Sequence, residues 1–205
     1  MRLAALVFAL IALTEPAMAS EEPDYTLVAQ DGDFEIREYP ALILAEIEVE
    51  GDRREASNQG FRPLANYIFG GNQPGEKIAM TAPVISAPAG ERIAMTAPVT
   101  SQPAGEGTWR VAFIMPPEWT METLPAPDDA RVSLRERPAR RVAVLRFSGL
   151  LDAGRIETKL AELRAIMDER DLEPQSPPLY AAYNPPWIPG PFRRNEIWIE
   201  IASEA

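Results

Sequence analysis

The chain has no histidine and no cysteine. That alone excludes serine–histidine and cysteine–histidine catalysis, histidine zinc sites, a histidine-ligated haem, a disulfide framework and thiolate metal sites. Lysine is scarce, with only Lys77 and Lys159, so nearly all cations are arginines, whose rigid fork favours bidentate contacts to carboxylates. Positive charge is also in deficit. Twenty Lys and Arg stand against 31 Asp and Glu, a net charge of −11, which argues against nucleic acid and anionic lipid as partners. No apolar run is long enough for a membrane span; Leu3 to Leu13 is eleven residues. Lying between Arg2 and Ala17-Met18-Ala19, that run reads as a signal peptide over residues 1–19. Cleavage is predicted between Ala19 and Ser20, giving a periplasmic or secreted protein. The remainder, 20–205, has the length of one domain with its own core.

Proline is plentiful, at 21 residues, and concentrated in connections such as Pro116-Pro117 and the stretch from Pro174 to Pro191. Between connections the apolar pattern alternates. Ala45, Ile47 and Val49 interleave with Glu46, Glu48 and Glu50, which predicts a half-buried strand ending at Gly51. The segment FEIREYPALILAEIEVEG (34–51) aligns without gaps on VSLRERPARRVAVLRFSG (132–149). Arg37/Arg135, Glu38/Glu136, Pro40/Pro138, Ala41/Ala139, Ala45/Ala143 and Gly51/Gly149 are identical. After Gly149, Ile156, Leu160, Leu163 and Met167 recur at helical spacing behind Asp152, a candidate cap. After Gly51, Phe61, Leu64 and Ile68 form a similar stripe, and Pro63 predicts a kink or a break into two pieces. Further strands are expected over Trp109 to Met115 and Glu196 to Ile201. Two similar halves, approximately 34–106 and 107–201, predict an α+β fold: a distorted antiparallel β-barrel of about eight strands with two flanking helices.

A second, shorter repeat is more conspicuous. KIAMTAPVISAPAGE (77–91) is followed at once by RIAMTAPVTSQPAGE (92–106), with twelve of fifteen positions identical. Alternation of Ile78, Met80, Ala82 and Val84, and again of Ile93, Met95, Ala97 and Val99, predicts two strands of a hairpin. The turn falls at Ser86 to Glu91, and a second loop at Pro103 to Gly107. Met80 or Met95 could offer a thioether to haem iron. With no histidine to sit opposite, packing of irregular core space is the better reading of both.

IAMTAPV, the segment TWRVAFIMPPEWTMETLPAPDDARVSLRERPARRVAVLRFSG (108–149) and YNPPWIPGPFRRNEIWIEI (183–201) together resemble the SOUL haem-binding family, over about Tyr25 to Ile201. The resemblance implies a distorted barrel of two similar halves. It also implies a cleft beside the first helix that holds haem or another tetrapyrrole, without a strong axial ligand. On that helix it points to Asn58, Phe61, Ala65 and Asn66. Basic side chains of the family's propionate sites are here Asn58 and Asn66, and Ile188 stands at another position that can be lysine. Arg54 and Arg62 lie close enough to substitute.

Three functions compete. The first is a non-enzymatic haem or tetrapyrrole carrier, with Leu64, Met80, Met95, Phe113, Met115, Tyr183 and Trp187 beside the helix residues and Arg193 or Arg194 for carboxylates. The second is an enzyme. The duplicated architecture also resembles GyrI-like small-molecule-binding domains, some of which hydrolyse their ligands; here the candidate pair is Glu196 with Tyr183. A salt bridge from Glu196 to Arg193 or Arg194 is its structural alternative. The third is a protein-interaction module built on the proline-rich loop Asn184 to Pro189, with Trp187 as anchor.

Overall fold

The computed structural model describes residues 22–73 and 90–203. The proposed signal peptide with its cleavage point, and the first IAMTAPV copy with Met80, lie outside the described residues.

Eleven strands and two α-helices follow in the order β1 (Thr26–Asp31), β2 (Phe34–Tyr39), β3 (Leu42–Glu50), α1 (Arg53–Ile68), β4 (Asn72–Gln73), β5 (Val99–Gly105), β6 (Thr108–Ile114), β7 (Ala126–Pro127), β8 (Ser133–Arg137), β9 (Arg140–Ser148), α2 (Ala153–Glu169), β10 (Leu179–Ala182) and β11 (Arg194–Ile201). Nine of these strands make one antiparallel sheet in the order β1-β2-β9-β11-β10-β5-β6-β3-β8, and β4 pairs with β7 apart from it. The predicted α+β fold with two helices is thus observed, and its distorted barrel is an open half-barrel with nine strands in the wall.

The order carries a pseudo-twofold. Quartet β2-β9-β11-β10 matches quartet β8-β3-β6-β5, and β10 joins β5 at the centre. The two aligned sequence segments do not form hairpins on themselves. β2 pairs with β9, and β8 pairs with β3, so each half carries the other's first strand.

Both helices begin with an aspartate. Asp52 Oδ1 accepts from the Glu55 amide and Asp152 Oδ1 from the Arg155 amide, each at 2.9 Å. Each cap follows a glycine with positive φ, Gly51 at 120° and Gly149 at 112°, where a side chain would be strained. Helix α2 buries Ile156, Leu163 and Met167 against Ala143, Leu145, Ile197 and Ile199. Helix α1 buries Leu64, Tyr67 and Ile68 against Ala45, Ile47, Val111, Phe113 and Met115. The predicted break at Pro63 does not occur: α1 runs unbroken through sixteen residues. Proline removes the bond to the carbonyl four residues earlier, on Gln59, an exposed residue of the helix.

Among the described residues, no α-helix packs on the opposite face of the sheet. Tyr39, Leu44, Ala112, Ile114, Val142, Val144, Leu179, Ala181 and Trp198 come from strands far apart in the order yet form one cluster, because the sheet curls around them. Alternate residues of β2, β9, β11, β3 and β6 therefore point into the curl, including several that the sequence pattern places toward water. Glu46 is one: it is buried and lies 3.5 Å from Arg110 and 3.6 Å from Arg135.

The second IAMTAPV copy is not the expected strand from Ile93. The Ile93 amide bonds to the Ile68 carbonyl at the end of α1, at 2.9 Å, and the Thr96 hydroxyl donates to the Ile114 carbonyl. Those partners hold the segment to the helix end and to the tail of β6, and regular pairing starts only at Val99. Pro103 to Gly105 is strand rather than loop. β10 pairs β5 only at Val99 to Ser101, so Pro103 has no neighbour on that side to miss its amide.

Candidate functional site

Helix α1 presents two parallel stripes to the outside. Phe61, Ala65 and Phe69 succeed one another at i, i+4 and i+8, the last at the helix C-cap; Phe61 is 39 % and Phe69 56 % exposed. Beside them run Arg54, Asn58, Arg62 and Asn66, all exposed. Phe61 is held edge-on against Phe113, ring centroids 5.4 Å apart. Met95, also exposed, follows two residues after the Ile93 amide that caps the end of this helix. An apolar strip flanked by guanidinium and amide groups is an amphiphilic surface on an otherwise acidic chain.

The remaining residues named from the sequence fall in three places. Leu64, Phe113 and Met115 pack between α1 and the sheet, directly beneath the strip. Trp187 lies in the loop after β10, 77 % exposed, and Arg193 donates to the Ile188 carbonyl at 2.7 Å and to the Pro186 carbonyl, bracing that loop. Tyr183 belongs to a different cluster.

That cluster sits inside the curl around Glu196, which has no exposed surface. Its Oε1 accepts from Arg37 Nη2 at 3.0 Å and from Arg194 Nε and Nη2 at 3.0 and 2.8 Å. Its Oε2 accepts from Arg37 Nη1 at 2.9 Å and from Tyr183 Oη and Trp198 Nε1 at 2.7 Å each. Arg37 donates further to Glu35 at 2.6 Å and Tyr39 at 3.1 Å, and Arg146 reaches Glu35 at 3.0 Å. Arg194 lies over the Tyr183 ring, 3.8 Å from its centroid, and ties Glu22 to the cluster. The expected Glu196–Tyr183 pair exists, and so does the ion pair with Arg194; Arg193 takes no part in it.

Charge states in the cluster follow from these contacts. Burial alone would raise the Glu196 carboxyl, but the hydrogen bonds and charge of Arg37, the charge of Arg194 and the Tyr183 hydroxyl hold it below its ordinary value. Burial, then the neighbouring Glu196 charge, pushes Tyr183 well above the ordinary tyrosine range. Glu196 is therefore a carboxylate and Tyr183 a phenol at neutral pH. Six donors on two oxygens exceed the roughly four lone-pair sites a carboxylate offers, so nothing is left with which to take a proton from a substrate. Sequence reasoning missed Arg37, Tyr39 and Trp198 here. The available signal was parity: Glu35, Arg37 and Tyr39 alternate with Phe34 and Ile36 on β2, a charged face that only a curled sheet would bury.

Two neighbouring cavities open, one where β1, β2 and β9 meet and one beside β3, β8 and the segment after β6. One, of about 620 Å³, is lined by Tyr25, Tyr39, Arg140 and Arg141, with Asp24 and Glu38 among its other walls. The other, of about 300 Å³, is more apolar and lined by Pro40, Leu42, Ile43, Met115, Pro116 and Trp119 among others. Of the candidate ligand-binding residues named from the sequence, Met115 alone among the described ones lines either cavity. Among the described residues no group of three or more carboxylates could hold a metal ion, and no helix is long and apolar enough to cross a membrane.

Paired quartets of strands, each crossed by one capped helix, define a duplicated α+β half-barrel. The chain belongs to the SOUL heme-binding protein family, whose model matches residues 20–200. It is 31 % identical over 172 residues to heme-binding protein 2 of Homo sapiens, covering 83 % of this chain and 78 % of that protein. The fold is shared with the C-terminal domain of EcmrR, at a TM-score of 0.56 and 12 % identity, over 88 % of this chain and 99 % of that domain. A hydrolase from Listeria innocua is similar at a TM-score of 0.55 and 12 % identity, over 85 % and 94 % of the two chains. At such identity these two likenesses concern the fold alone.

Proposed function

We propose that this protein is a non-enzymatic carrier of haem or a related tetrapyrrole, held on the outer face of α1. Membership of a heme-binding family supports the ligand class, and the twin stripes of α1 are the observation that carries the site. A tetrapyrrole is a flat apolar ring with carboxylates on one edge. Phe61, Ala65 and Phe69 offer the ring an apolar surface, and Arg54, Asn58, Arg62 and Asn66 offer donors to its carboxylates one stripe away. With no histidine in the chain, affinity on this reading comes from the ring and its edge rather than from the iron. Met95 then serves as apolar surface. Saturation of Glu196 by its own arginines, tyrosine and tryptophan supports binding over turnover.

Titration of the protein with haem and with metal-free protoporphyrin tests this reading. Saturable binding of both, with similar micromolar affinity and a shifted Soret band for haem, is the expected result. Absence of saturable binding, or binding of haem alone, would overturn it. Export forms part of the proposal, and the mass of the mature protein recovered from the producing cell, beginning at Ser20, checks it.

The exposure of Trp187 and Phe192, each 77 %, favours a second reading in which the loop from Asn184 to Phe192 meets a protein partner. Loss of tetrapyrrole binding in Trp187→Ala would argue instead that the loop belongs to the ligand site.

A further inference from the structure

Arg140 opens β9, opposite Tyr39, and its side chain is only 8 % exposed. Its Nε lies 3.5 Å from Glu200, but Arg137 Nη2 already donates to the same Glu200 oxygen. Two guanidinium groups thus share one carboxylate. Arg140 Nη1 is buried and has no hydrogen-bond partner. An unpartnered donor on a buried cation costs free energy that the fold elsewhere avoids. The Arg140 side chain lines the 620 Å³ cavity, whose size suits a small organic ligand.

The walls narrow the choice of ligand. Tyr25 and Tyr39 stand 5.4 Å apart at 49°, Tyr39 stacks on Trp198 at 5.0 Å, and Arg140 lies 5.5 Å from the Tyr39 ring. The more apolar 300 Å³ cavity adjoins, with Asp24 and Pro40 common to both linings. We propose that this cavity is a second ligand site, separate from α1, for a small aromatic monocarboxylate. Its carboxylate would pair with the Arg140 guanidinium and its ring would lie against the exposed Tyr25. Asp24 and Glu38, exposed at the rim, disfavour a second negative charge on the ligand and so select a monoanion. Burial, then the charge of Arg137, brings the Arg140 guanidinium down to about 10, as expected of a cation whose counter-charge is shared.

Calorimetry and amide NMR with 2-naphthoate test the site. Expected are saturable binding, shifts centred on Tyr25, Tyr39 and Ala139 to Arg141, and affinity about tenfold lower for the neutral 2-naphthamide. Arg140→Gln removes a buried, poorly compensated charge and is expected to fold, with a comparable loss. Tyr25→Ala, at an exposed position, is expected to weaken binding several-fold on an intact fold. Phe61→Ala, on the α1 face, should leave 2-naphthoate affinity unchanged, so failure here and failure of the tetrapyrrole reading are separable. No binding, equal affinity for the amide, or equal affinity in Arg140→Gln would overturn the proposal.

Discussion

Arg37 meets Glu196 with both terminal nitrogens, at 2.9 and 3.0 Å, and neither side chain has any exposed surface. The two are 159 residues apart in sequence. Their bidentate contact joins β2, from the start of the chain, to β11 at its end, with β9 between them. Buried pairs of this kind are costly to break from one side, because the survivor keeps its charge and loses its partner. Arg37→Ala and Glu196→Ala should each destabilise the fold by about 3–5 kcal/mol. Arg37→Met with Glu196→Leu should cost less than either alone, as chemical denaturation of all three variants would show.

Acid stability should depend on the same carboxylate. Glu196 is held below its ordinary value of 4.5, so the unfolded chain binds its proton at a higher pH than the folded one. Its contribution is complete above pH 4.5 and is lost as pH falls through the lower folded value. Denaturation midpoints measured from neutral pH downward should decline in the native protein, and more gently in Glu196→Gln.

At the alkaline end the tyrosines set the limit. Burial raises Tyr39, Tyr67, Tyr180 and Tyr183 above 10.0, with Tyr67 pushed up to about 12. A phenol that keeps its proton in the fold but loses it when unfolded favours the fold below pH 10, and that advantage falls as pH rises further. Ultraviolet titration should show most of the five tyrosines ionising late, coincident with loss of near-ultraviolet circular dichroism.

On α1, Gly60 is packed face to face with β6. A methyl group there would stand 2.9 Å from Val111 and 3.1 Å from Ile47. Alanine is the better helix former by roughly 1 kcal/mol, yet the overpacking should win, at about 1–3 kcal/mol. Gly60→Ala should therefore lower the thermal midpoint, whereas Gly154→Ala, at the start of α2 with only one atom within 4 Å, should not.

Exposed positions on the same helix should separate binding from stability. Phe61→Ala should weaken tetrapyrrole binding about tenfold, close to 1.4 kcal/mol, with a smaller effect on unfolding. Arg62→Glu should weaken binding of a porphyrin with free carboxylates by a similar factor. It should leave the corresponding ester nearly unaffected, as parallel absorbance titrations would reveal.

Much of this was legible from local pattern. Asp152 and the spacing of Ile156, Leu163 and Met167 located α2, and the alternation along residues 45–50 located β3. The family segments pointed to α1, where the exposed Phe61 and the partly buried Ala65 share a stripe. What escaped was set by partners distant in the chain. Pro63 could not show that Gln59 faces water, nor Ile93 that its amide is taken by Ile68. The donors to Glu196 come from β2, β11 and the end of β10, and no periodicity reports that three strands turn their polar faces toward one another. The Arg140 cavity needs four segments at once, from Asp24 to Ser203, and is visible only when they meet.

The exchange of β2 and β8 bears on how such a chain could arise. Each half completes its quartet with a strand borrowed from the other, so neither is a self-sufficient unit. A solitary ancestral half with the same habit would have had to lend its first strand to a second copy. The present molecule then corresponds to a strand-swapped dimer fused end to end, whose interface became the middle of a single sheet at β5 and β10.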